Sequence, residues 1–342
     1  MVYGSPMRAW LSCLLVLPLW GSTLWAGELV ASAPEEFLDP AVLEVKFKDN
    51  TTVRLRDGWP KDTAPGGRAL RSVKAERLLS GLQARGAKWS RTHSEVSEAQ
   101  LAKWRRGPAS GLPDLNAYLR VRVGPGEDVQ AVGRALAELD EVEAVYRVPQ
   151  PAPPPAVYDF SNPANPAGVW QRYVDAAPVG VDARFAWSNG YTAAGVKICD
   201  VEYDWNATHE DLPPFVMLGA TPLDAGFGSD HGTAVLGQLG GKHNTNGVRG
   251  IAYGAALRVV SPYAAAYGGY NFPAAVSAAL TNLVAGDVLL IEQQGVGPAG
   301  EYVPVSWWKS NYDAIRTAVS NGIIVVEAAG NGAQNLDDPV YS

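Results

Sequence analysis

Val196-Lys197-Ile198-Cys199-Asp200-Val201-Glu202 is an apolar run of strand length that ends on a carboxylate. Similar runs follow at 256–261, 287–293 and 322–328, and the segments 232–240, 273–285 and 307–320 between them have helical spacing. Near-continuous apolar strands alternating with helices predict a parallel sheet covered by helices on both faces, an α/β fold. Functional side chains in such sheets collect at the carboxyl ends of the strands. Glu202, Gln293-Gln294-Gly295 and Asn331 all fall at that edge.

Upstream, the pattern breaks at Pro149-Gln150-Pro151-Ala152-Pro153-Pro154-Pro155. Proline has no N–H to give a sheet ladder, and such a run is stiff and extended, so 149–160 reads as a linker. Before it, Leu43–Leu55 alternates around Asp49-Asn50 and is expected to form a hairpin, and 70–104 is expected to be helical with an interruption near Gly86. Tyr118–Val123 and Val142–Val148 alternate as strands, with Val129, Val132, Leu136 and Leu139 at helical spacing between them. This series predicts a small α+β domain over 27–148, of roughly ferredoxin-like size, followed after the linker by a larger domain over 161–342.

The first 26 residues read as a secretory signal peptide. Arg8 precedes the apolar run Ala9–Leu19, small residues continue to Ala26, and Met7 is a plausible start. Ser12, Pro18, Gly21, Ser22 and Thr23 interrupt the run, which argues against an uncleaved anchor. The expected location is secreted, extracellular or periplasmic, with no membrane attachment after cleavage. Cys13 lies in the signal, which leaves Cys199 inside an apolar strand, where an inert packed thiol is expected.

Of the 342 residues, 47% are hydrophobic and 18% charged, a composition that excludes a disordered chain. Charge is uneven: residues 46–106 hold 15 Lys/Arg against 6 Asp/Glu, whereas 151–342 hold 8 against 17. The basic residues are scattered, so docking of the two parts on each other is expected and a nucleic-acid partner is not.

Chemistry is concentrated in Ser229-Asp230-His231-Gly232-Thr233-Ala234-Val235-Leu236-Gly237. A histidine at the mouth of a small-residue helix can be held rigidly with its ring at the surface, as a general base requires. Glu202 can orient that imidazole, and Asn331, closing Val325-Val326-Glu327-Ala328-Ala329-Gly330-Asn331-Gly332, supplies an amide donor. Carboxylate, histidine and amide in this order suit acyl transfer.

These residues match a family. Residues 151–342 resemble the catalytic domain of subtilisin-like serine peptidases, and about 40–150 resemble their inhibitory propeptide. The His231 segment is close to the family's H-G-T-x-V-x-G, Asn246-Gly247-Val248-Arg249-Gly250-Ile251-Ala252 is similar to the motif that follows it, and Ala329-Gly330-Asn331 matches the A-G-N of the oxyanion hole. The resemblance implies a secreted endopeptidase precursor in which Glu202 orients, His231 acts as base and Asn331 binds the oxyanion. It also implies that Gln293, Gln294 and Gly295 offer a backbone edge to the substrate peptide.

Two positions depart from the family. Glu202 stands where an aspartate is usual, seven residues before His209 and nine before Asp211-Leu212, with Asp200 and Asp204 as rivals out of register. The nucleophile motif G-T-S-x-x-x-P does not occur, and Ser342 lacks its glycine-bounded turn. The chain is therefore expected to be truncated before the nucleophile and, alone, nearly inactive. The alternative is a pseudopeptidase or peptide-binding module.

His209 matches a structural histidine of the family, and His93 and His243 are expected to be solvated. No metal-site spacing occurs, and no cofactor is required; calcium as a structural ion has no recognisable ligand pattern here. Gly295-Val296-Gly297-Pro298-Ala299-Gly300 has the G-x-G-x-x-G spacing after the 287–293 run, but Glu301-Tyr302-Val303-Pro304 follow it in place of a helix, and no P-loop occurs, so a nucleotide-binding α/β protein is not expected. Trp307 and Trp308 open a helix and are expected to pack. The expected partners are a peptide or protein substrate and the chain's own propeptide, on a monomer.

Overall fold

In the computed structural model the described residues are 27–67, 70–106, 111–154, 171–244 and 247–341. The signal at 1–26, the linker beyond Pro154, the start of the second domain at 161–170 and Ser342 lie outside them. The first part contains β1 (Glu28–Val30), β2 (Leu38–Phe47), β3 (Val53–Arg56), β4 (Trp59–Asp62), α1 (Val73–Ala84), β5 (Lys88–Arg91), α2 (Glu98–Arg105), β6 (Tyr118–Arg122), α3 (Val129–Ala137) and β7 (Val142–Pro149). Its sheet runs β1-β7-β2-β6-β5. The path β2-α1-β5-β6-α3-β7 through that order is a split β-α-β arrangement. Ser72, Ser97 and Asp128 cap the three helices by accepting backbone N–H bonds.

Strand alternation gives this sheet two unlike faces. Leu43, Val45, Phe47, Leu119, Val121 and Val145 pack on Ala75 and Leu82 of α1 and on Val129, Val132 and Leu136 of α3. The opposite face carries Glu44, Lys46, Tyr118, Arg120 and Tyr146, and it is buried as well. What covers it is the second part of the chain.

That part contains α4 (Ala183–Ser188), β8 (Lys197–Val201), β9 (Val216–Met217), α5 (Asp230–Gly240), β10 (Ala256–Val260), β11 (Tyr263–Ala264), β12 (Gly269–Tyr270), α6 (Phe272–Leu280), β13 (Val288–Ile291), β14 (Gln294–Val296), β15 (Tyr302–Pro304), α7 (Lys309–Ser320) and β16 (Ile324–Glu327). The main sheet runs β16-β13-β8-β10-β9 with every neighbouring pair parallel. Cys199, Val201, Leu289 and Ile291 pack with α6 and α7, whereas Ile198, Leu257 and Val259 pack with Leu236 of α5. The expected parallel sheet with helices on both faces is what the chain builds.

All nine residues of α6 are buried. A helix that is apolar all round needs cover on every side, and α6 has it, between the parallel sheet and the polar face of the first sheet. One apolar cluster runs through the contact, from Tyr118 and Tyr146 to Phe272, Val276, Ala314 and Ile315. A fully buried Phe272 contributes about 1.5–3 kcal/mol.

Four sequence expectations change here. No hairpin forms around Asp49-Asn50: β2 pairs with β6 and β7, and the hairpin is β3–β4 across Asp57-Gly58. Both turn residues have positive φ, 52° and 78°, the backbone an Asp-Gly hairpin turn demands. The interruption near Gly86 is a full strand, β5, pairing with β6. His93 is not solvated but 1% exposed, its Nδ1 2.6 Å from Ser277 Oγ of α6.

Charge, finally, is not what docks the two parts. Among the described residues every ion pair stays within its own part, as in Arg54–Asp114, Arg120–Glu44, Arg147–Glu35 and Lys309–Asp313. Bonds across the contact include Tyr118 Oη to Asp313 Oδ2 at 2.6 Å, Arg120 Nη1 to the Tyr270 carbonyl at 2.7 Å, Arg122 Nη2 to the Gly268 carbonyl at 3.0 Å and Asn271 Nδ2 to the Thr92 carbonyl at 2.9 Å. Desolvating a paired charge inside one layer and presenting carbonyls to it from the other avoids burying an unpartnered ion.

Candidate active site

Alternation along β8 decides where the acid goes. Ile198 faces α5, so Asp200 and Glu202, two and four residues on, face α5 too. His231 is the second residue of α5. The pair meets: Glu202 Oε2 lies 2.6 Å from His231 Nδ1. Glu202 is 1% exposed, and its Oε1 accepts from Tyr203 N at 2.7 Å and Gln293 Nε2 at 3.1 Å. Both carboxylate oxygens are thus fixed, as a buried charge requires.

The bond to Glu202 raises the imidazole above its ordinary range, against the opposing pull of burial. A proton held at Nδ1 leaves Nε2 with its lone pair, the form a general base needs. Asp200, the nearer rival, is fully buried and accepts from Trp205 Nε1 at 2.8 Å; burial, then the Glu202 charge, pushes its carboxyl well up. Asp204 is exposed and accepts from the backbone N–H of Trp205. Neither competes for the ring.

Gly232 explains how the loop and helix approach so closely. A Cβ there would lie 2.4 Å from the Asp204 carbonyl oxygen, 2.8 Å from Trp205 Nε1 and 2.9 Å from Glu202 Cγ. Gly232→Ala is expected to cost about 1–3 kcal/mol and to push His231 off Glu202. A urea midpoint equal to that of the unaltered chain would refute this.

Asn331 follows β16, and Gln294 opens β14. Gln294 Oε1 accepts from Asn331 N at 2.9 Å and from Asn331 Nδ2 at 3.0 Å. Its Nε2 donates to the Pro153 carbonyl at 2.7 Å. Gly295 is buried under Trp308, whose Nε1 would stand 3.0 Å from a Cβ at that position. Thus Glu202, His231 and Gln293 form one hydrogen-bonded set and Gln294 and Asn331 a second, adjoining through the Gln293–Gln294 peptide at the carboxyl ends of β8, β13 and β16.

Some members of this group were not legible as such in the sequence. Gln293 and the Tyr203 backbone hold the acid, the Pro153 carbonyl accepts from the Gln294 amide that holds Asn331, and the Ala152 carbonyl accepts from Tyr203 Oη. Glu292 is half-buried beside the group; burial raises its carboxyl, and the His231 charge opposes that rise. The Glu-Gln-Gln run after an apolar strand was the available signal.

Other expectations fall elsewhere. Cys199 is buried, and burial, then Asp200, drives its thiol well above the usual range. His209 is exposed, its Nδ1 accepting from Asp211 N at 3.2 Å, and His243, also exposed, packs its ring at 44° to that of Tyr253 with centroids 4.6 Å apart. Trp308 is buried, and Trp307 donates to the Ser32 carbonyl at 2.9 Å. Among the described residues, no hydroxyl or thiol hydrogen-bonds Nε2 of His231, and no helix is long and apolar enough to cross a membrane.

No family model matches the chain. Over 150 residues it is 29% identical to subtilisin of Bacillus pumilus, a match covering 42% of this chain and 50% of that protein. The major intracellular serine protease of Bacillus subtilis strain 168 is 26% identical over 153 residues, 42% of this chain and 46% of that one. The chain spans about half the length, or less, of the curated relatives it matches. Among solved structures, fervidolysin from Fervidobacterium pennivorans, a keratinolytic enzyme related to subtilisin, superposes with a TM-score of 0.51 at 15% identity. That superposition covers 91% of this chain and 43% of that one. In sequence and in fold this chain is subtilisin-like.

Proposed function

We propose that this chain carries the acid, the base and the oxyanion donor of a secreted, subtilisin-type serine endopeptidase precursor. The observation that carries the reading is the 2.6 Å contact of buried Glu202 with His231 Nδ1. A peptide-binding groove alone has no use for an imidazole whose tautomer is set and whose Nε2 is left to accept a proton. In this reading His231 takes the proton of a serine hydroxyl and returns it to the leaving amine, while Glu202 stabilises the imidazolium. Asn331 Nδ2 donates to the tetrahedral oxyanion, worth ~100–1000-fold in rate, the value measured in subtilisin. The 27–148 layer is its propeptide, and residues 1–26 direct export.

The second reading is a pseudopeptidase that keeps the groove without the chemistry. It is favoured by the lack, among the described residues, of a hydroxyl at His231 Nε2. Expression of this chain together with the coding sequence 3′ of codon 342 separates the two. Casein hydrolysis that falls on the order of a million-fold in His231→Ala, the subtilisin scale, is expected. Hydrolysis indifferent to His231→Ala, or none at all, overturns the enzyme.

A further inference from the structure

Residues 151–154 lie along the group just described, and the way they are held is unusual. Pro151, Pro153 and Pro154 have no N–H, and each residue before a proline is pushed to extended backbone. The stretch therefore cannot enter a sheet ladder. Instead, two successive carbonyls are each taken by a side-chain donor. Tyr203 Oη donates to the Ala152 carbonyl at 2.7 Å, and Gln294 Nε2 donates to the Pro153 carbonyl at 2.7 Å. Ala152 is 5% exposed and packs in one cluster with Leu38, Val296 and Trp308. With the segment seated, Tyr203 and Gln294 are themselves 3% and 6% exposed, and Gln294 is held from its other side by Asn331.

Gln294 can make its three bonds in one orientation. Its Oε1 must face the two N–H groups of Asn331, which leaves Nε2 for a carbonyl. Reading a carbonyl and chelating Asn331 are thus one act of one side chain. A ligand recognised through carbonyls and a small apolar seat, with nothing asked of its own N–H groups, is a polyproline-type chain.

Resting on the proteolytic reading, we infer that the site selects proline-rich, extended peptides, with Tyr203 and Gln294 as the specificity-determining residues. The chain's own 151–154 segment occupies the seat as such a ligand would. Peptides that need a β-ladder gain nothing from these two donors. Because Gln294 also holds Asn331, the ligand carbonyl at Nε2 fixes the orientation in which the amide donor is presented.

The test uses the full chain carrying Ala152→Arg, whose side chain has no room in the seat and so vacates it. Acetyl-Pro-Gln-Pro-Ala-Pro-Pro-Pro-amide is titrated against the same peptide with its last four prolines replaced by alanine, followed by tryptophan fluorescence. The proline peptide is expected to bind at least tenfold more tightly, and adding Gln294→Met is expected to erase that preference. Equal binding, tighter binding of the alanine peptide, or no binding of either overturns the inference. A second measurement leaves the linker untouched. The Tyr203→Phe, Gln294→Met double variant is expected to speed hydrogen exchange at the Trp308 indole at least tenfold, and an unchanged rate again overturns it. The proteolytic reading fails separately, through hydrolysis indifferent to His231→Ala, and that result leaves the peptide preference as measured.

Discussion

On the proteolytic reading, Glu202→Gln is expected to lower kcat about ten-thousand-fold in the expressed form that hydrolyses casein, the loss seen when a triad acid becomes an amide. Glutamine preserves the volume, so the fold survives. It offers Nε2 or a neutral oxygen to His231 Nδ1, and the imidazole loses the tautomer and the charge that the carboxylate imposes. The same variant reads out in the chain as it stands. The Glu202 bond is the largest cause of the raised His231 value, and burial, which opposes it, remains. The His231 ring proton resonance should then titrate lower in Glu202→Gln, below the unaltered chain and toward or under 6.5. Because the base must be neutral, the acid limb of activity should move down in pH with it. An unshifted titration would remove Glu202 from the role of acid.

Glu202→Asp is the sharper form of the test, since the subtilisin-like pattern that the sequence resembles has aspartate here. The shorter side chain withdraws the carboxylate by about 1.5 Å, one C–C bond. That separates it from both His231 and Gln293 unless β8 moves. The glutamate and the Gln293 amide that reaches Oε1 suit each other in length. The aspartate is therefore expected to impair this site.

The second large effect is on stability. His93 lies between the two layers among Ser277 Oγ, the Tyr118 ring, the Pro273 carbonyl and the guanidinium groups of Arg91 and Arg120. Burial first, then the Arg91 charge, drives its imidazole from 6.5 to about 3. The unfolded chain binds a proton at pH 5 and the folded chain does not. Stability from this group is thus complete above 6.5 and is lost as pH falls from 6.5 toward 3. At roughly 1.4 kcal/mol per pH unit, the loss reaches on the order of 3–5 kcal/mol, a large share of a domain's typical 5–15 kcal/mol. His93→Gln, which cannot titrate, should flatten the urea midpoint across that window. Parallel pH profiles for the two proteins would show that His93 is not the group responsible. His231 acts in the opposite sense, since its raised value makes a contribution that fades as pH rises through it.

His93 also shows where sequence reading stops. Its polar neighbours Thr92, Ser94 and Glu95 predict solvent, and no local pattern reveals that α6 closes over it. The hairpin differs: Asp57-Gly58 is a local turn signal that the β3–β4 pair uses, whereas the apolar alternation simply continues across Asp49-Asn50. The charge asymmetry suggested electrostatic docking, but opposite charges were already available within each layer, and neutralising them locally costs less desolvation than pairing across a contact.

The alternation of apolar strands and helices, the carboxylate closing 196–202, the histidine opening α5 and the amide after 322–328 are local patterns, and they determined the α/β fold and which carboxylate, imidazole and amide stand at the carboxyl ends of its strands. Only the tertiary structure decided that Gln293 holds the acid, that Gln294 joins Asn331 to Pro153, and that the polar face of the first sheet is interior. Those depend on which surfaces meet across 100 or more residues of chain, and hydrogen bonds between such partners leave no periodicity in the sequence.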